Sequence, residues 1–177
     1  NAVPYRQRKR RRGGVKISVI SCTETGQQLA ERIRESMDGE TAVTLYTKCS
    51  RLEKKTVPAV DDSSADTICV RNSLSAWAGE QMAARHALIF IGACGIAVRA
   101  IAPWIMDKLH DSPVLEADEM GKYVIPLLSG HVGGANELAV RLAGALGAIP
   151  VITTATDLHD SFAVDIFAKR NDLRICN

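Results

Sequence analysis

Aromatic residues are scarce in this chain: Phe, Trp and Tyr make up 5% of its 177 residues. Any core must therefore be aliphatic, and the 46% hydrophobic content is enough to build one, which excludes wholesale disorder. No apolar run approaches the ~18–20 residues needed to span a bilayer, so the chain reads as soluble, and a cytoplasmic location is expected from its unpaired cysteines. The five cysteines (Cys22, Cys49, Cys69, Cys94 and Cys176) are odd in number and form no CxxC pair. That argues against a disulfide framework or a structural zinc site and for reduced thiols. Neither the P-loop signature nor a GxGxxG after the first apolar segment is present, so a nucleotide is not indicated.

Charge of one sign is concentrated rather than abundant. Six of the 22 basic residues lie between Arg6 and Arg12; the remaining 16 face 20 acidic residues, a net of −4. No apolar stretch follows this run, so residues 1–14 read as a disordered basic leader or cloning remnant, and a nucleic-acid arm is the lesser alternative. Residues 15–177 suit a single α/β domain, with a division near 71–86 as an alternative.

What the chain does have is alternation. Val15 to Ser21, Thr41 to Thr47, Thr67 to Val70 and Ala87 to Ala93 read as strands, the last apolar throughout as in a strand buried on both faces. Between them, helices are predicted from Thr25 and Gly26 with Leu29, Ile33 and Met37 inward, and after an N-cap at Ser73. Lys48 to Asp66 reads as a loop. Ile96 to Ile101 begins a helix that Pro103 interrupts. Pro113 to Asp118 and Lys122 to Leu128 flank Glu119-Met120-Gly121 as a hairpin. A helix from Asn136 to Leu146 ended by Gly147, a strand from Pro150 to Thr154 and a helix from Asp160 to Lys169 complete the pattern. The predicted architecture is a three-layer α/β/α sandwich with a mostly parallel sheet and one antiparallel hairpin.

The densest chemistry lies in Ser129-Gly130-His131-Val132-Gly133-Gly134-Ala135-Asn136, between a strand and a helix. Such a turn is expected to offer free backbone N–H groups at a helix N-terminus, which favours an anion. Ligands of α/β sheets bind beyond the carboxyl ends of strands. Three segments after strands are therefore expected to converge on one edge: Gly92 to Gly95 with Arg99 one turn on, Ser129 to Asn136, and Thr153 to Asp157. The substrate-binding candidates are Gly92, Gly95, Arg99, Ser129, Gly130, Gly133, Gly134, Asn136, Thr153 and Thr154, a set suited to carboxylates or phosphates. No metal ligand set is assigned, and Cys94 reads as a small buried hydrophobe.

At these residues a resemblance emerges. Ile91-Gly92-Ala93-Cys94-Gly95-Ile96-Ala97-Val98-Arg99 through Pro103, Asp118-Glu119-Met120-Gly121, Leu127 through Ala139, and Gly147 through Asp157 resemble the CbiG family of cobalamin biosynthesis, the cobalt-precorrin-5A hydrolases. The likeness is dense from Ala87 to Asp157 and looser from Val15 to Arg85. It implies a hydrolase that opens a δ-lactone on a cobalt-containing tetrapyrrole with release of acetaldehyde. Cobalt would enter with the substrate, and no separate cofactor is implied. Members usually continue into a further C-terminal domain, so a fragment or a naturally split protein is expected, with that domain or a second copy as partner. The alternative is a corrinoid- or anion-binding module without catalysis of its own.

Lactone opening by water needs a base and stabilisation of an oxyanion. His131 is the first candidate base because imidazole titrates near neutral pH, with Glu119 and Asp157 as rivals. His131 is also suited to ligate the substrate's cobalt, or simply to hold its loop. Glu119 equally fits a solvated hairpin tip, Asp157 a helix cap, Arg99 a surface guanidinium and Ser129 a turn residue.

Overall fold

The computed structural model describes residues 16–37, 41–53, 67–108 and 110–154. The expectations for residues 1–14, Asp157 and the Asp160–Lys169 helix lie outside them. Seven strands form one sheet: β1 (Ile17–Ser21), β2 (Val43–Thr47), β3 (Ile68–Cys69), β4 (Ala87–Ile91), β5 (Val114–Ala117), β6 (Tyr123–Leu128) and β7 (Ile149–Pro150). Their order is β3-β2-β1-β4-β5-β6-β7. Neighbours run parallel except β5 and β6, which pair antiparallel across the Asp118–Lys122 turn. The α/β class with one hairpin is as the sequence predicts.

Among the described residues, five α-helices accompany the sheet: α1 (Glu24–Ser36), α2 (Ser50–Glu53), α3 (Leu74–Ala83), α4 (Cys94–Ile101) and α5 (Ala135–Leu146). Leu29 and Ile33 of α1 and Leu138 and Leu142 of α5 pack with Ile17, Val19, Ile89, Leu115 and Val124 on one face of the sheet. Trp77 and Met82 of α3 and Ala97 and Ile101 of α4 pack with Ile20, Leu88, Phe90 and Val114 on the other. Alternate residues of β1, β4 and β5 thus feed opposite clusters, as a strand's two-residue period requires. All five residues of β1 and all five of β4 are buried, which accounts for their unbroken apolar or small composition. Three of the few aromatics pack together, with Trp77 edge-on to Tyr46 and Phe90 at 5.3 and 5.6 Å between ring centroids.

Several boundaries differ from the sequence reading. Thr23, not Thr25, starts α1: its Oγ1 accepts from the Gly26 backbone N–H at 3.0 Å. Cys94 already opens α4, and the chain passes from Ile101 into a 3-10 turn (Ala102–Trp104) that accommodates Pro103. A short helix, α2, interrupts the predicted loop. The strand predicted over 150–154 is only Ile149–Pro150, although Val151 still donates its N–H to the Val124 carbonyl at 2.8 Å. Ser73 and Gly147 cap as predicted, Ser73 accepting from Ala76 N–H and Gly147 adopting φ 71°.

Candidate functional site

From β1 the chain moves outward to β2 and β3, then returns to β4 on the other side of β1. The space above the carboxyl ends of β1 and β4 is therefore a topological switch point, where helices on opposite faces leave a crevice. A cleft of about 420 Å³ lies there. Its floor is apolar, from Ile20, Phe90, Ile91, Leu74 and Ile96; its rim carries Cys22 and Thr23 after β1, Gly92 and Ala93 after β4, and Glu119 from the hairpin.

Local chemistry fixes this rim. The Thr23 hydroxyl caps α1 through its oxygen and donates its proton to Glu119 Oε1 at 2.8 Å. The hairpin tip that carries Glu119 is tied down by Asp118, whose carboxylate accepts from the backbone N–H groups of Met120, Lys122 and Tyr123 at 2.9, 2.8 and 2.6 Å. Gly121 completes the turn at φ 64°, and Gly92 leaves β4 at φ 143°, both open to glycine at little cost. Ala93 precedes α4 without a capping side chain. Burial pushes the Cys22 thiol above its ordinary range, against the opposing pull of Lys48. Behind the cleft, Glu116 of β5 is 2% exposed and accepts from Cys94 Sγ at 3.2 Å. Burial raises that carboxyl's pKa, while the thiol contact works the other way.

The expected convergence of three loops does not occur. β6 runs against β5, so its carboxyl end points to the opposite edge, and β7 follows β6. Gly92, Gly95, Arg99 and Glu119 therefore lie at one edge, and Ser129, Gly130, His131, Gly133, Gly134, Asn136, Thr153 and Thr154 at the other. Roughly 15 Å, the length of a five-residue strand, separates the two. At the far edge the glycine loop folds back on its own helix. Ala135 and Asn136 donate their backbone N–H groups to the carbonyls of Ser129 and Gly130 at 3.1 and 3.0 Å, so these donors are not free for an anion as expected. Ser129 sits at φ 57° with its hydroxyl on the Asp111 carbonyl at 3.0 Å, and Asn136 Nδ2 donates to Thr154 Oγ1 at 2.9 Å. His131 is half-buried within this loop. A Cβ on Gly133 would come within 2.3 Å of Ser129 Cβ, which is why glycine stands there.

Arg99 turns back along α4, its Nη1 donating to the Gly95 carbonyl at 3.0 Å. Cys22 and Thr23 were missed by the sequence reading, although their place directly after a fully buried strand was a usable signal. Among the described residues no group of three His, Cys, Asp or Glu could hold a metal ion, and no helix is long and apolar enough to cross a membrane.

Sheet order and cleft position make this an α/β sandwich of the doubly wound kind, extended by a reversed strand pair. Residues 76–157 match the family model described as Cobalamin synthesis G N-terminal. The chain is 41% identical over 159 residues to the cobalt-precorrin-5A hydrolase of Salmonella typhimurium, covering 90% of this chain and 41% of that protein. It is 52% identical over 83 residues to the cobalt-precorrin-5A hydrolase of Priestia megaterium, covering 47% of this chain and 22% of that one. A crystal structure of a cobalamin biosynthesis protein G homolog from Sulfolobus solfataricus overlays with a TM-score of 0.48 at 24% identity, covering 79% of this chain and 36% of that one. The chain is thus similar to the CbiG family, and residues 76–157 carry the match to its N-terminal model. It spans less than half the length of each of these relatives.

Proposed function

We propose that the chain carries out the reaction of a cobalt-precorrin-5A hydrolase: opening the δ-lactone of a cobalt-containing tetrapyrrole and releasing acetaldehyde in the cytoplasm. The observation that carries this reading is the 41% identity to the Salmonella hydrolase over 159 residues. The switch-point cleft is its proposed site. Its volume is at the small end for ligand pockets, so it takes an edge of the macrocycle, with apolar ring substituents against Phe90, Ile91 and Ile96. The cobalt belongs to the substrate, and the chain contributes no cofactor of its own. A further domain or a second copy would cover the rest of the ring.

Of the two candidate bases among the described residues, Glu119 lines this cleft and His131 does not, and Thr23 orients Glu119 through Oε1. Oε2 then takes a proton from water, and the resulting hydroxide adds to the lactone carbonyl. Collapse breaks the carbonyl carbon–oxygen bond and leaves a hydroxyl on the extruded carbon. Loss of that hydroxyl proton lets the bond from the extruded carbon to the macrocycle break; the carbon leaves as acetaldehyde and the macrocycle keeps the electron pair and takes up a proton.

The test is to incubate the purified chain with the cobalt-precorrin substrate, following binding by visible absorption and product by acetaldehyde release. Binding with release is the expected result. Binding without release leaves a corrinoid-binding module whose chemistry needs a further domain, and no binding overturns the reading.

A further inference from the structure

Glu116 is a buried carboxyl that the proposed reaction does not use. Leaving such a group in a sheet interior is costly unless its partners require it, and an apolar residue would fill the space more cheaply. Its hydrogen-bond partner is the Cys94 thiol, at 3.2 Å, across the parallel β4–β5 pair. The placement of that thiol is informative. Gly92, Ala93 and Ile96 line the cleft, yet Cys94, lying between Ala93 and Ile96, is absent from its wall. The first residue of α4 turns its side chain away from the cleft and toward β5.

We infer that Glu116 is a positioning residue: it holds the Cys94 side chain behind the β4–α4 turn, so that this turn presents backbone to the cleft and adds no second thiol to that of Cys22. Cys94 opens an eight-residue helix, a place where the dipole favours thiolate. Glu116 opposes that tendency, since a carboxylate acceptor favours the protonated thiol, and burial of Cys94 acts in the same direction. The other charged groups nearby are Asp118 on the hairpin and Arg99 on α4, whose guanidinium is engaged with the Gly95 carbonyl. Held in place and protonated, Cys94 is a poor nucleophile and a poor ligand for a thiophilic metal centre brought to the cleft.

The experiment reads the thiol itself, so its failure would leave the hydrolase reading untouched. The whole chain is alkylated with iodoacetamide over a range of pH, and the Cys94 and Cys22 peptides are quantified by mass spectrometry. In Glu116→Gln, Cys94 is expected to react roughly 3- to 10-fold faster near pH 7.5, with its pH profile displaced downward and the Cys22 rate unchanged. Glu116→Asp, which keeps the charge, is expected to restore part of the protection. An unchanged Cys94 rate in a Glu116→Gln protein that melts cooperatively would overturn the inference. So would equal acceleration at Cys22 and Cys94, which would indicate general loosening.

Discussion

At the β1–β4 edge, Thr23 reaches Glu119 across 96 residues of sequence, and the groups around them face an open cleft. At the β6–β7 edge, the Ser129–Asn136 loop closes chiefly on itself and its own helix, with Asp111 and Thr154 as outer supports. Both edges hold a glycine-rich turn between a strand and a helix. The difference lies in where the turn's polar groups go: into a cleft in one case, into the turn's own construction in the other. A glycine-rich strand-to-helix turn is thus no guide to function until its hydrogen bonds are accounted for.

The sharpest way to break the comparison is to remove one ionisable group from each edge and to assay the proposed reaction. Glu119→Gln is expected to lower the rate of acetaldehyde release by ~10²–10⁴-fold with substrate binding retained, as for loss of a general base. His131→Ala is expected to change that rate by only a few-fold. The reverse pattern in the same assay would move the chemistry to the far edge.

Stability should separate the edges in the opposite sense. In Gly133→Ala the new methyl meets Ser129 Cβ at 2.3 Å and the Ser129 carbonyl at 2.6 Å, backbone that cannot step aside. A loss of about 2–3 kcal/mol is expected in urea denaturation, as for an overpacked interior. Gly92→Ala meets nothing within 4 Å, so only its backbone angle resists, at about 1–2 kcal/mol. Equal losses at the two glycines would remove the distinction between a packed turn and an open one.

Much of this was readable beforehand. Ser73, Gly147 and Pro103 marked helix limits because caps and prolines act locally, and the aliphatic runs of β1 and β4 announced their burial. The division of the candidate residues between two edges was also implied. Reading 113–118 and 122–128 as a hairpin already requires the second strand to run backward and to end away from Gly92. What the sequence could not supply is the reach of side chains between distant segments, such as Thr23 to Glu119 or Cys94 to Glu116.

Smaller effects test the cleft edge alone. Thr23→Ala removes both the α1 cap and the contact to Glu119; about 1 kcal/mol of stability is expected to go with the cap. Acid–base behaviour of the buried carboxyl is a finer probe. Glu116 holds its proton more tightly folded than unfolded, so between its ordinary pKa and its raised one the native state binds more protons than the unfolded state. Its contribution to stability is therefore lost as pH rises through that window and retained below it. Melting temperatures measured from pH 4 upward should fall less steeply in Glu116→Gln than in the parent chain; parallel curves would contradict the assignment.

The strand order also sets when each edge can exist during folding. β5 and β6 meet across a five-residue turn, a contact that closes early because little chain must be ordered to make it. β1 and β4 pair residues 70 apart, Ile17 with Ala87, and that loop is closed only at a larger entropic cost. Closure entropy alone thus favours the hairpin that carries Glu119 over the β1–β4 contact that makes the cleft, which is one of the longest-range pairings in the sheet.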